Sequence, residues 1–302
     1  MNFGKVANDL VSEVNFSLPQ DGILTASTLS SASDVSDPEF YVGCAKWGRK
    51  EWVGLIYPSK TKEADFLDEY VKHFNSIELN AAFYKIPKKE VVQRWYAKTK
   101  EHTRGEFLFC PKISQTISHF KRLNGAEEAT DQFLASVSEF KEFLGPCFLQ
   151  LSDNFSPKSF PVLEAYLENL PADMSLFVEV RHSGWFEDND VSTRYFELLK
   201  KFNRGAVITD ASGRRDCLHM ELTVPEAFIR FVGNGLEHQK SDFARIDAWV
   251  DRLETWIGSG LQKVYFFLHQ HDEKDTPILA DYAIKSFNKR LGASLDELRF
   301  LT

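Results

Sequence analysis

From Phe40 onward the chain alternates short apolar runs with longer amphipathic stretches, and this alternation limits its fold more than any other feature. Eight runs have the length and the β-branched or aromatic bias of buried strands: FYVGCA (40–45), SIELN (76–80), EFLFCPK (106–112), CFLQL (147–151), SLFVEVR (175–181), GAVITD (205–210), AFIRFVG (227–233) and VYFFLH (264–269). Between them lie helix-like segments at about 62–74, 88–100, 127–144, 158–170, 191–203, 242–259 and 276–291. The sixth connection, 211–226, is short and irregular, so its helix is expected to be degenerate or missing. Strands joined by helical crossovers run parallel, and eight such units can close into a (β/α)₈ TIM barrel. An open doubly wound sheet is the competing architecture, and the lack of a Gly-rich phosphate turn after the first run counts against it. The reading is an α/β barrel domain over 39–302 with an N-terminal extension over 1–38. Within the extension, 4–13 suits one short helix, and the Ser-, Thr-, Ala- and Asp-rich stretch Thr25–Ser36 reads as a loop or arm.

Composition narrows the function. A net charge of −8 argues against a general nucleic-acid-binding surface, though a local basic groove stays open. Cys44, Cys110, Cys147 and Cys217 form no CxxC pair, which fits small buried hydrophobes in a reducing compartment. With no basic-then-apolar start and no membrane-length apolar run, a cytoplasmic protein is expected.

The polar residues of the eight runs gather at or just past their C-terminal ends: Lys46 and Trp47, Glu78 and Asn80, Lys112, Gln150, Glu179 with Arg181 and His182, Asp210, Arg230, then His269 and Gln270. In a barrel that end carries the active site, and an inward polar side chain costs burial energy without a partner or ligand. Strand parity puts Glu78 with Asn80, and Glu179 with Arg181, on inward positions; Ile77, Leu79, Val178 and Val180 then face the helices. Glu179 is the candidate general acid or base and Glu78 the second carboxylate, with His119 or His182 as proton shuttle. Lys112, Arg181 and Arg230 can hold a phosphate, carboxylate or sulfate, or brace nearby carboxylates instead. Trp47, Trp52, Tyr84 and Trp185 can stack on a ligand or merely seal the mouth. His269 and His271 form an HxH without a partnering HExxH, so a divalent metal is not favoured and the cofactor is left unspecified.

These residues carry a resemblance. The segments G-C-A-K-W (43–47), F-N-S-I-E-L-N-A-A-F-Y (74–84), Lys112 to His119, L-G-P-C-F-L-Q-L (144–151) and V-E-V-R-H-S-G-W-F (178–186) resemble the YecE-like family, a domain of unknown function. The resemblance runs from about Tyr41 to the C-terminus. It implies a barrel of the triosephosphate isomerase type with shared polar residues at one end, and it brings no established reaction. Its characteristic positions are Trp47, Glu78, Asn80, Phe83, Tyr84, Lys112, His119, Gln150, Glu179, Arg181, His182 and Trp185. The last third departs from the pattern: where the family tends to show R-x-H-G this chain has R-F-V-G (230–233), and L-H-Q (268–270) stands in place of F-N-N. A step that depended on the missing histidine is in doubt, or has moved to His269.

The resulting expectation is a hydrolase- or lyase-type enzyme for a small polar, anionic substrate bound by Trp47, Asn80, Tyr84, Lys112, Gln150, Arg181, Trp185, Arg230 and His269. A non-catalytic metabolite- or phosphate-binding barrel and a nucleic-acid-processing enzyme are the alternatives. Oligomeric state is not legible.

Overall fold

A computed structural model describes residues 4–32 and 37–301. Its strands are β1 (Glu39–Cys44), β2 (Ser76–Leu79), β3 (Leu108–Pro111), β4 (Cys147–Gln150), β5 (Leu176–Glu179), β6 (Gly205–Asp210), β7 (Glu226–Gly233) and β8 (Lys263–Gln270). The helices are α1 (Thr25–Ser30), α2 (Phe66–Tyr70), α3 (Ala81–Tyr84), α4 (Lys89–His102), α5 (Glu127–Val137), α6 (Phe160–Glu168), α7 (Asn189–Lys201), α8 (Gln239–Ile257) and α9 (Thr276–Leu291). The strands pair in the order β3-β2-β1-β8-β7-β6-β5-β4, each pair parallel. β3 and β4 complete a nearly closed barrel through a bridge between Lys112 and Phe148, where the Ile113 N–H donates to the Phe148 carbonyl at 2.9 Å. Among the described residues, no helix is long and apolar enough to cross a membrane.

The sixth crossover has no α-helix, only a 3-10 turn at Arg215–Cys217. The N-terminal extension packs against this sector. The Gly22 N–H donates to the Met220 carbonyl at 3.1 Å, and Thr25 Oγ1 donates to that carbonyl while accepting from the Leu222 N–H, both at 2.9 Å. Leu29 is buried in the main core, and the Arg245 guanidinium lies 4.8 Å from the Phe16 ring centre. Part of the stretch read as an arm is therefore helix α1, because Thr25, Thr28 and Leu29 bury one face of a single turn. Residues 33–36 of that stretch lie outside the described residues. The short helix expected over 4–13 is a 3-10 turn at Asn8–Glu13.

Parity holds as read. Ile77, Leu79, Val178 and Val180 join the large core between sheet and helices. Inside the barrel, Tyr41, Cys110, Phe148, Phe177, Val207, Phe228, Tyr265 and Phe267 form a separate apolar plug. Each buried aromatic contributes ~2–3 kcal/mol of transfer free energy, so this plug makes a dry, rigid floor. Gly205 makes room for it, since a Cβ there would meet the Phe177 ring at 2.1 Å. One strand step above the plug the inward positions turn polar: Lys112 after Cys110, Gln150 after Phe148, Glu179 after Phe177, Thr209 after Val207, Arg230 after Phe228 and His269 after Phe267.

Candidate functional site

Arg230 organises this polar layer. It is fully buried and grips Glu78 with two hydrogen bonds, Nε to Oε2 at 2.8 Å and Nη2 to Oε1 at 2.9 Å. Its Nη1 donates to Glu179 Oε2 at 2.9 Å, so one guanidinium fills the space between the two carboxylates. Two-residue offsets then repeat on both strands: Asn80 Nδ2 donates to Glu78 Oε1 at 2.8 Å, and Arg181 Nε to Glu179 Oε1 at 2.8 Å. Asn80 and Arg181 lie just past β2 and β5, and their side chains turn back over the strand ends. Gln150 Nε2 donates to Glu179 Oε2 at 2.7 Å, while its Oε1 accepts from Lys112 Nζ at 2.6 Å. His269 Nε2 lies 2.9 Å from Glu78 Oε2; a carboxylate can only accept here, so that nitrogen carries the proton.

The charges follow from these contacts. Burial alone would raise the Glu78 carboxyl, but Arg230 and His269 hold it well below the usual carboxylate range. Glu179 is likewise opposed by burial and carried down to about 2 by Arg181 and Arg230. Lys112 goes the other way: burial, then the Arg230 and Arg181 guanidiniums, push its ammonium down to about 7 despite the two glutamates. Its Nζ sits 4.0 Å from the Phe83 ring centre and 5.9 Å from that of Phe148. His119, in the turn after β3, holds Ser118 Oγ through Nδ1 at 2.9 Å and meets the same Phe83 ring edge-on at 5.0 Å. Burial and the nearby Lys112 and Arg181 charges lower its pKa, so the ring is neutral at neutral pH.

Glu78, Asn80, Lys112, Gln150, Glu179, Arg181, Arg230 and His269 thus meet in one hydrogen-bonded cluster, with His119 beside it. Six other candidates do not join it. Trp185 is fully buried in the helical layer, with Nε1 donating to the Phe155 carbonyl at 2.7 Å and its ring against Tyr195; it cannot touch a ligand at the mouth. His182 accepts the Gly184 N–H on Nδ1 at 3.0 Å and caps a short 3-10 turn, the opposite orientation to Arg181. Trp47 packs edge-on against Trp95 and Phe109, sealing core rather than lining the cluster. Tyr84 is 71% exposed at the rim. Asp210 faces outward and ties β6 to α8 through Arg245 and Trp249, and Gln270 accepts the Gly235 N–H. Phe83, a characteristic position of the resemblance, covers Lys112. One member escaped sequence reasoning: Thr209 is the register partner of Arg230 with a buried hydroxyl that has no hydrogen-bond partner; its parity with Val207 was the available signal.

Val232, standing where a family histidine was expected, is the register partner of His269 on β8. An imidazole therefore still occupies this wall of the barrel, one strand over. Among the described residues no group of three or more His, Cys, Asp or Glu converges as a metal site, and all four cysteines are free and buried.

The comparisons with known proteins agree with the barrel fold. A family model described as "Protein of unknown function DUF72" matches residues 41–298. The chain is 30% identical to the UPF0759 protein YecE of Escherichia coli over 269 residues, covering 83% of this chain and 93% of that protein. It is 29% identical to the UPF0759 protein YunF of Bacillus subtilis over 155 residues, 48% of this chain and 52% of that one. The crystal structure of a DUF72 family protein from Enterococcus faecalis superposes with a TM-score of 0.65 at 19% identity, covering 84% of this chain and 99% of that one. Barrel, strand-end cluster and family match coincide, and the chain belongs to the DUF72, or YecE-like, family.

Proposed function

We propose that the C-terminal end of the barrel is the active site of a hydrolase- or lyase-type enzyme for a small anionic substrate, received by Lys112 and Arg181 beside His119. The observation that carries this reading is the position of Lys112. Its buried amine donates to a neutral amide oxygen, while the carboxylates of Glu78 and Glu179 are already engaged by Arg230 and Arg181. Within the buried cluster three cations thus face two carboxylates, with the exposed Asp153 acting on Arg181 and His119 from the rim. An incoming anion answers the Lys112 charge, which no carboxylate of the cluster bonds. Glu78 and Glu179, held ionised, have no proton to donate and serve as the frame that aims the guanidiniums. Acid-base work falls to His119, the neutral imidazole next to Lys112. The setting is a reducing cytoplasm, in keeping with four free buried thiols.

Calorimetric titration with inorganic phosphate tests the site. Phosphate is expected to bind below the Lys112 pKa of about 7 and to weaken above it, and Lys112→Met is expected to lose binding. Absence of binding by the wild-type protein in that lower range would sink the proposal. One observation favours the second reading, a barrel that binds a metabolite or phosphate without turnover: Arg230 already fills the gap between the two carboxylates. Chromogenic phosphate and carboxylate esters separate the two. Turnover that His119→Gln removes while phosphate still binds supports the enzyme; phosphate binding with no turnover supports the binding barrel.

A further inference from the structure

We infer that Lys112 is a covalent nucleophile, and that the substrate is a small 2-oxo acid whose carbonyl carbon it captures as an imine. This rests on the anion-site reading above and deepens it. A lysine attacks a carbonyl only as the free amine, and a protein exposes that form by burying the amine among apolar groups and other cations. Lys112 meets each condition. It is 6% exposed, its Nζ lies over the Phe83 ring with Phe148 beyond, and its hydrogen bond goes to the Gln150 amide. The charged and titratable groups that act on it are Arg230 and Arg181, which disfavour the ammonium, Glu78 and Glu179, which favour it, and the neighbouring His119. The glutamates are themselves neutralised by the guanidiniums, so the ammonium falls to about 7 and a large fraction is free amine at neutral pH. No metal is required for the step.

The chemistry balances with the chain's own groups and a solvent proton. Nζ forms a bond to the carbonyl carbon as the C=O π pair moves to oxygen. A proton passes from nitrogen to that oxygen, giving a carbinolamine. The hydroxyl then leaves as water while the nitrogen lone pair forms the C=N bond; the proton it takes comes from solvent, relayed by the neutral His119 ring, which gains one before giving it up. The carboxylate next to the carbonyl supplies the negative charge that the cluster lacks, and Arg181 stands beside Lys112 to receive it. The protonated imine restores a cation where the ammonium had been and draws electrons from the adjacent carbon, the requirement for lyase-type cleavage.

The test uses pyruvate and borohydride on the intact wild-type protein, followed by peptide mapping. A reduced adduct is expected on the Lys112 peptide, enriched at least ~10-fold over exposed lysines such as Lys60 and Lys289. Its rate should rise with pH through about 7, and inorganic phosphate should suppress it. Lys112→Arg should still bind phosphate yet remain unlabelled. Labelling spread evenly over surface lysines, or none at all, overturns the inference. Phosphate calorimetry on the same sample shows which claim has failed: binding without an adduct removes the imine and leaves the anion site, whereas neither binding nor adduct removes both.

Discussion

Arg230→Met is the most informative perturbation of the barrel. It replaces a fully buried guanidinium by a side chain of comparable length and leaves Glu78 and Glu179 facing each other without the charge between them. Removing one partner of a buried ion pair costs about 3–5 kcal/mol, and here one partner serves two carboxylates through three hydrogen bonds, so the loss belongs at the top of that range. The pH dependence is diagnostic. In the wild type both carboxyls are held below the unfolded value of 4.5, so their stabilisation is complete above that pH and fades as pH falls toward about 2. In the variant, burial and the nearby Glu179 charge raise the Glu78 carboxyl, which has lost its guanidinium, while Arg181 still holds Glu179 down, so the Glu78 part of the variant's stability rises on acidification. Urea unfolding followed by tryptophan fluorescence, at neutral pH and near the unfolded carboxylate value, should show the gap between the two proteins narrowing as pH falls. Combining Arg230→Met with Glu78→Gln and Glu179→Gln should recover much of the loss at neutral pH. A neutral-pH loss under about 1 kcal/mol, or a gap that widens in acid, would refute the assignment of Arg230 as the charge that holds the cluster together.

Lys112→Met should stabilise the fold by about 1–3 kcal/mol, net of leaving the Gln150 amide oxygen without its donor. The folded ammonium titrates near 7 and the unfolded one near 10.5, so wild-type stability rises with pH across that window; the variant's advantage is therefore largest below about 7 and shrinks toward 10.5 in urea titrations. Burial raises all four thiols, Cys147 and Cys217 to about 12, so a thiol reagent should leave the native protein unlabelled near neutral pH and modify four cysteines after denaturation. Deleting residues 1–32 should cost ~3–5 kcal/mol by uncovering the surface that Leu29 and Thr25 bury, read as a lower thermal midpoint and faster proteolysis; an unchanged midpoint would show that the extension is dispensable.

The barrel and the location of its polar cluster were legible because both rest on period-two alternation. That pattern sends Ile77 and Leu79 outward and Glu78 inward whatever the loops do, and the resemblance pointed to the same residues. What escaped was set by chain direction after a strand ends. Trp185 and Arg181 lie four residues apart in sequence, yet one enters the helical layer and the other turns back over Glu179, a divergence decided by the turn at Ser183–Trp185. Sequence placed Glu78 and Glu179 at the site but could not tell proton donors from fixed anions. That distinction depends on Arg230, 152 residues from Glu78 and 51 from Glu179. The helical turn at Thr25–Ser30 was also unreadable locally, since its polar composition favours a loop until Met220 and Leu222 supply partners.

The N-terminal extension gives the barrel an order of assembly. Asp21 accepts a hydrogen bond from Trp256, 235 residues downstream, and Gly22 reaches Met220. At typical synthesis rates, roughly 10–50 s pass between the emergence of Asp21 and that of its partner. Until then its apolar residues, Leu29 among them, have no surface to cover, and closing so long a loop carries a standing entropy cost. A segment made well before its partners is thus among the last to be fixed, so its docking acts as a latch that closes only on a nearly finished barrel.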